Sequence, residues 1–302
     1  MRLLAFILVL ALTFTLHAAP RAEHVFIISF DGGKPAVIAE SETPTLKKMA
    51  AEGAVTWQAS TIFPPKTLPS HTSMMTGMGP DKHQVLWNDY MPIRGFVKVP
   101  TIFSLLKAKD PHAVTGLFAG KVKFRHLWLD GSLDVFDFGG PQTRAPIAGT
   151  PEIEKDKKPS QMVAKQASAW VKEHKPALAF VHFADPDTAG HKSGWGSPEQ
   201  KEAFKVSDQA LWQFMQALKE AGIADRSVVL ISADHGGHEK THGLNIPDDM
   251  IIPWIAWGKS VKKGFIITDP VTTYDTAATA LWLLDVPVPA DFDGKPVVSA
   301  FE

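Results

Sequence analysis

His24-Val25-Phe26-Ile27-Ile28-Ser29-Phe30-Asp31-Gly32-Gly33 is an apolar, β-branched and aromatic run that stops on a carboxylate and two glycines. Runs of that length and composition form buried strands, and the glycines end this one in a turn. Similar runs recur at Val55–Phe63, Ala113–Phe118, Leu178–Phe183, Ser227–Ala233 and Ile251–Trp257. Helix-like stretches punctuate them at Thr43–Glu52, Thr101–Lys109, Ser160–Lys172, Ser197–Ala221 and Tyr274–Leu284. Strand alternating with helix predicts an α/β fold, a mostly parallel central sheet with helices on both faces. Such sheets bind ligands beyond the carboxyl ends of their strands.

The polar clusters fall at those ends. Asp31 follows the first strand, Asp187-Thr188-Ala189-Gly190-His191 the fourth, and Asp234-His235-Gly236-Gly237 the fifth, with His242 seven residues after His235. Asp187 and His191 are four apart, so one helical turn aims both at one point. Any one pair alone is an ordinary surface or core pairing. Three clusters at strand ends, each beside glycine, point to metal ligation. His238 is a spare imidazole in the same loop, expected to support the ligands rather than join them. Between the second strand and a helix lies Phe63-Pro64-Pro65-Lys66-Thr67-Leu68-Pro69-Ser70-His71. Pro69 is expected at the first helical position, which puts the Thr67 hydroxyl against the positive helix end where phosphate is favoured. A threonine hydroxyl needs a metal or a base before it attacks, and the carboxylate–imidazole clusters supply that context. Asn88 reads equally as a turn residue or as an amide donor to a phosphoryl oxygen.

Composition limits the alternatives. The 302 residues are 45% hydrophobic, with 31 basic and 32 acidic side chains, a net charge of −1 and no cysteine. That balance argues against a nucleic-acid duplex or polybasic membrane partner. Without cysteine there are no thiolate ligands and no disulfides. Arg2 precedes the apolar run Leu3 to Leu16, followed by His17-Ala18-Ala19-Pro20. This reads as a signal peptide over residues 1–19, too short for a membrane span, and implies export to the periplasm or beyond. Residues 20–302 then form one catalytic domain. Its segment from about 89 to 160 reads as a small cap, and Gly139–Ser160 as a loop at the base of a lid.

The motifs together resemble the alkaline phosphatase superfamily. The similarity is to its type I phosphodiesterase/nucleotide pyrophosphatase branch and to phosphonoacetate hydrolases. It runs from Phe30-Asp31-Gly32-Gly33 through Lys66-Thr67-Leu68-Pro69-Ser70-His71 and the three clusters to Thr241-His242-Gly243, Tyr274-Asp275 and Asp293-Gly294-Lys295. The resemblance implies two divalent ions, expected to be zinc. One is held by Asp187, His191 and His242, the other by Asp31, Asp234, His235 and the Thr67 oxygen. It further implies Thr67 as nucleophile and Asn88 as a contact to the transferred group. Lys121 and Lys123, after the third strand, resemble the lysine pair that phosphonoacetate hydrolases direct at substrate.

The implied activity is metal-dependent hydrolysis of a small phosphate ester through phosphothreonine, of the phosphodiesterase, nucleotide pyrophosphatase or phosphomonoesterase kind. A C–P hydrolase is the alternative, and a non-catalytic binder of phosphorylated ligands is the alternative of another class. The short His235–His242 spacing departs from the large diesterases, which carry an insertion there. Sulfatases place a cysteine or serine where Thr67 stands, and cofactor-independent phosphoglycerate mutases a serine. Both are argued against by the threonine.

Overall fold

The structure, a computed structural model, describes residues 21–137 and 159–302. The expected signal peptide, and the lid-base loop except for its last two residues, therefore lie outside the described residues. Among those described, eight strands form one sheet: β1 (His24–Phe30), β2 (Ala54–Ser60), β3 (Thr115–Ala119), β4 (Val135–Asp137), β5 (Leu178–Phe183), β6 (Ser227–Ser232), β7 (Ile251–Gly258) and β8 (Phe265–Ile266). The helices are α1 (Pro35–Glu40), α2 (Pro44–Glu52), α3 (Thr67–Thr76), α4 (Pro80–His83), α5 (Ile102–Lys109), α6 (Ser160–His174), α7 (Asp185–Ser193), α8 (Pro198–Glu220), α9 (Pro247–Met250) and α10 (Asp275–Leu283).

Strand order is β4-β3-β5-β1-β6-β7-β2-β8. From β4 to β6 every pairing is parallel. Strand β7 runs antiparallel to both neighbours, β6 and β2. Only the four residues of α9 form a helix between β6 and β7, too little for a parallel crossover, so the chain turns back. The short strands β4 and β8 fall outside the sequence expectation, being three and two residues long. Within the segment expected to form a cap, β3 and β4 join the central sheet.

The alternation of β1 divides the molecule into two cores. Val25 and Ile27 face α3, α5 and α10, packing with Leu68, Met74, Phe103 and Leu281. Phe26, Ile28 and Phe30 face α1, α2, α6 and α8, packing with Ile38, Leu46, Val163 and Phe214. Burying each such side chain contributes about 1.5–3 kcal/mol, which is why one strand can fasten both layers. The α2 N-terminus has no cap of its own. Asp208 of α8 supplies it, accepting from the Thr45 and Leu46 amides at 3.0 and 2.7 Å.

Strand direction decides where the chemistry collects. Strands β1, β3, β5 and β6 are mutually parallel, and β2, two antiparallel steps from β6, points the same way. All five therefore end at one edge of the sheet. Their exits deliver Asp31, Lys121, the Asp187 helix α7, Asp234 with His235, and the loop leading to Thr67.

Candidate active site

Helix α3 begins at Thr67, with Lys66 as an extended N-cap residue. Pro69 is thus third in the helix rather than first, still within the first turn where a missing N–H is tolerated. Thr67 is 1% exposed. The Leu68 amide donates to Asn88 Oδ1 at 2.9 Å. Because a backbone N–H can only donate, the oxygen of Asn88 is committed to the helix and its NH₂ points elsewhere.

Around Thr67 the structure brings six further sequence-predicted residues into two groups, Asp187 with His191 and His242, and Asp31 with Asp234 and His235. In each group the nearest ligand atoms all lie within 4.8 Å of one another. Every carboxylate has one oxygen fastened. Asp31 Oδ2 accepts from His182 Nε2 at 2.8 Å, and Asp234 Oδ1 accepts from the Gly32 and His235 amides at 3.0 Å each. Asp187 Oδ2 accepts from Lys121 Nζ at 2.6 Å. The other oxygens, Asp31 Oδ1, Asp187 Oδ1 and Asp234 Oδ2, are buried with no hydrogen-bond partner. Gly32 makes the Asp234 contact possible: its φ is +71°, and a Cβ there would press on Asp187 Cα at 3.1 Å.

The three imidazoles are held the same way. His235 Nδ1 donates to the Gly236 carbonyl at 2.8 Å, His242 Nδ1 to the Pro65 carbonyl at 2.8 Å, and His191 Nδ1 to the Lys240 carbonyl at 2.9 Å. A carbonyl only accepts, so the proton sits on Nδ1 and each Nε2 presents a lone pair inward. Those nitrogens face oxygens that also only accept: His235 to Asp234 Oδ2 at 3.2 Å, His191 to Asp187 Oδ1 at 3.3 Å, His242 to Asp187 Oδ1 at 3.7 Å. His235 Nε2 likewise has no hydrogen-bond partner. Acceptors crowded against acceptors are relieved by a cation, and neutral imidazole with carboxylate is a donor set that suits zinc. The residues present fit a divalent metal in each group.

Protonation in the site follows the buried Lys121 ammonium. Lys121 Nζ lies 2.6 Å from both Asp31 Oδ2 and Asp187 Oδ2 and 3.4 Å from Thr67 Oγ1. Burial pushes the Asp31 carboxyl up, but the Lys121 ammonium and the His182 hydrogen bond outweigh it and hold it well below the usual range. Burial and then Asp31 raise Asp187, and the Lys121 ammonium reverses this to a net lowering. Asp234 has no such contact with Lys121, so burial and the Asp31 charge push its carboxyl well up. Burial, then His235, lowers His242 to about 3, and burial lowers His235. Both are therefore neutral near pH 7. Three carboxylates stand beside one ammonium that contacts only Asp31 and Asp187, and that imbalance of charge also favours added cations.

The two predicted lysines differ in their surroundings. Lys121 is taken up by Asp31 and Asp187 instead of standing free for substrate, because its ammonium is drawn to the nearest paired carboxylates. Lys123 has no ion pair among the described residues, and burial followed by the Lys121 charge lowers its pKa to about 8. His238 Nδ1 meets Asp249 Oδ1 at 2.7 Å. Asp249 also accepts from the Gly243 and Leu244 amides, so it braces the loop that carries His242.

Sequence reasoning missed His182 and His71. His71 Nδ1 donates to the Thr67 carbonyl at 2.8 Å while its Nε2 meets Ser29 Oγ at 2.7 Å. The signal that could have found both is a lone histidine inside a buried apolar or helical run, where an imidazole needs partners.

Residues 25–250 match the type I phosphodiesterase/nucleotide pyrophosphatase family. Ectonucleotide pyrophosphatase/phosphodiesterase family member 7 of Homo sapiens is 24% identical over 233 residues, covering 70% of this chain and 47% of that protein. A bis(5'-adenosyl)-triphosphatase of Bos taurus is 26% identical over 226 residues, with 70% and 47% covered. The chain thus spans about half the length of the curated relatives it matches. The fold is similar to murine ectonucleotide pyrophosphatase/phosphodiesterase 5, solved as an inactive variant with AMP (TM-score 0.71, 15% identity, 93% of this chain and 100% of that chain). It is also similar to a 2-O GAG sulfatase (TM-score 0.69, 17% identity, 93% and 74%). These solved neighbours bear out the expected alkaline phosphatase-like α/β fold. The matched span, 25–250, encloses Thr67 and all six clustered carboxylates and imidazoles, and the chain belongs to the type I phosphodiesterase/nucleotide pyrophosphatase family.

Proposed function

We propose that this chain is a metal-dependent hydrolase of small phosphate esters that works through a phosphothreonine at Thr67. One observation carries the reading: four buried polar atoms without protein partners, Asp31 Oδ1, Asp187 Oδ1, Asp234 Oδ2 and His235 Nε2, belong to the two residue groups beside the Thr67 hydroxyl. Asp187, His191 and His242 would hold one ion and Asp31, Asp234, His235 and Thr67 Oγ1 the other. Two bound zinc ions would supply positive charge at the attacking and leaving oxygens.

The chain's own groups do the rest. Thr67 Oγ1 gives its proton to water and attacks phosphorus as the bond to the leaving oxygen breaks, and the leaving group departs with that electron pair and takes a proton back from water. Lys121, 3.4 Å from Oγ1, favours the deprotonated hydroxyl. Asn88, its oxygen tied to Leu68, is oriented to donate its amide to a non-bridging phosphoryl oxygen. Water then attacks phosphorus, the Oγ1–P bond breaks, and phosphate or its monoester leaves with the threonine hydroxyl restored.

Nucleotides and other small phosphodiesters are the first substrate class by analogy with the relatives' names. Lys123 favours a second reading in which the substrate carries an extra anionic group, a monoester dianion or a carboxylated phosphonate, because this lysine is part-buried and has no ion-pair partner among the described residues. The leader-like N-terminus supports export. Among the described residues no helix is long and apolar enough to cross a membrane. The deciding test is turnover of zinc-loaded protein on aryl phosphate, bis-aryl phosphate, dinucleotide and phosphonate panels, with acid quench and mass spectrometry of the Thr67 peptide. Absence of both turnover and adduct on every panel defeats the proposal.

A further inference from the structure

His182 takes no part in the chemistry just described, yet it is fully buried at the centre of the site's floor. Its place is set by the sheet. Strand β5 pairs with β1 so that His182 is opposite Ser29, and with β3 so that it is opposite Ala119. Alternation along β5 turns it to the same face as Leu178 and Phe180, toward α3. There its ring lies 4.5 Å from that of Phe124 and 5.0 Å from that of His71, centroid to centroid. Such packing leaves the imidazole little freedom to turn.

Its two nitrogens have unambiguous roles. The Gly120 amide donates to Nδ1 at 3.2 Å, so Nδ1 is the acceptor and the proton resides on Nε2. Nε2 then donates to Asp31 Oδ2 at 2.8 Å. One rigid ring therefore ties a carboxylate at the end of β1 to the backbone immediately before Lys121. Together with Lys121 Nζ, 2.6 Å from the same oxygen, it occupies Oδ2 and leaves Oδ1 as the oxygen of Asp31 that has no hydrogen-bond partner.

We propose that His182 is a positioning residue for the Asp31–Asp234–His235 group: its Nε2–H fixes the rotation of the Asp31 carboxylate so that Oδ1 faces the metal. The inference rests on the two-metal reading above. Partners of this kind typically change metal affinity by about 10–100-fold when removed.

Two substitutions separate the ring's nitrogens. His182→Gln keeps a donor near the Nε2 position, whereas His182→Asn reaches only the Nδ1 position and loses the Asp31 contact. Zinc affinity of each group is read by competition with a chromogenic chelator. Circular dichroism and melting of the zinc-loaded protein report folding. The expected result is that His182→Asn weakens one of the two zinc sites by about 10–100-fold, while His182→Gln stays within about threefold of the parent chain. Repeating the titration in a His191→Ala background, where the other group is already impaired, assigns the weakened site to Asp31. Equal behaviour of the two variants, or loss confined to the Asp187 group, overturns the role of His182. If His182→Asn does not fold, a greater than tenfold loss in His182→Gln also overturns it, since that variant retains the donor. A parent chain that binds no zinc defeats the two-metal reading itself, and this inference with it.

Discussion

Asp31, Asp234 and His235 leave the ends of the adjacent strands β1 and β6 and are fully buried, whereas Asp187, His191 and His242 come from helix α7 and a loop. In the second group burial falls from buried Asp187 through part-buried His242 to exposed His191. The first group is anchored by backbone amides and by His182. In the second, both imidazoles hang from single carbonyls, Lys240 and Pro65. Strand ends give fixed geometry, while the helix and loop give access to solvent. On the two-metal reading proposed above, the rigid side would hold the nucleophile and the open side would admit substrate and water.

Thr67 Oγ1 lies 3.4 Å from Lys121 Nζ, which contacts one carboxylate of each group, and removing Thr67 should have the largest effect. We expect Thr67→Ala to lower turnover by about 10⁴–10⁶-fold, the range seen when a nucleophile is deleted, with zinc content unchanged because six other ligands remain. Retention of more than about a tenth of the activity, with zinc bound and no phosphorylated peptide, breaks the assignment of Thr67 as nucleophile.

The contrast in burial should next appear in metal exchange. Titration with chelator should release zinc in two phases, the faster from the Asp187 group. His191→Ala should abolish the fast phase only and Asp234→Ala the slow one, each by more than the roughly 100-fold that loss of a supporting partner costs. A single phase in the parent chain erases the distinction between rigid and open sides.

The lysines sharpen it further. Lys123→Ala should reduce turnover of monoester dianions by about 10–100-fold, a charge-assisted contact of about 1.5–3 kcal/mol, and of diesters by less than about threefold. Because burial lowers the Lys123 pKa to about 8, the ammonium is present below that pH and lost above it. KM for the dianion should therefore rise as pH climbs through about 8, and Lys123→Arg should flatten the rise. Lys121→Ala should impair both substrates alike, since it touches the carboxylates and Thr67. A KM that is flat in the parent chain removes Lys123 from the substrate. The smallest effect belongs to His238→Ala: the imidazole reaches the ligands only through Asp249, so its loss should alter zinc content and turnover by no more than about tenfold, the low end for a supporting partner.

What the sequence revealed follows from the range of each signal. Strands β1 and β5 match their apolar runs residue for residue because composition and boundary coincide there. The carboxylates and imidazoles were legible because they stand just past such runs. The antiparallel β7 was legible in principle, since a β6–β7 connection without a long helix excludes a parallel crossover. Strands β4 and β8 are too short for any periodicity to register. His182 was hidden because its partners, Asp31 and Gly120, are 151 and 62 residues away in the chain. Lys121 was visible as a cation, but its engagement with two carboxylates depends on β3 lying beside β5, which is topology rather than pattern.

The four polar atoms of the two ligand groups that are buried without partners also bear on how the protein is made. Each costs about 1–3 kcal/mol if nothing meets it, comparable in total to the whole stability of an ordinary domain. A ligand at a thousand times its Kd returns about 4 kcal/mol by mass action. Yield of folded chain should therefore track the metal supplied in the growth medium, and a preparation starved of it should aggregate before any question of catalysis arises.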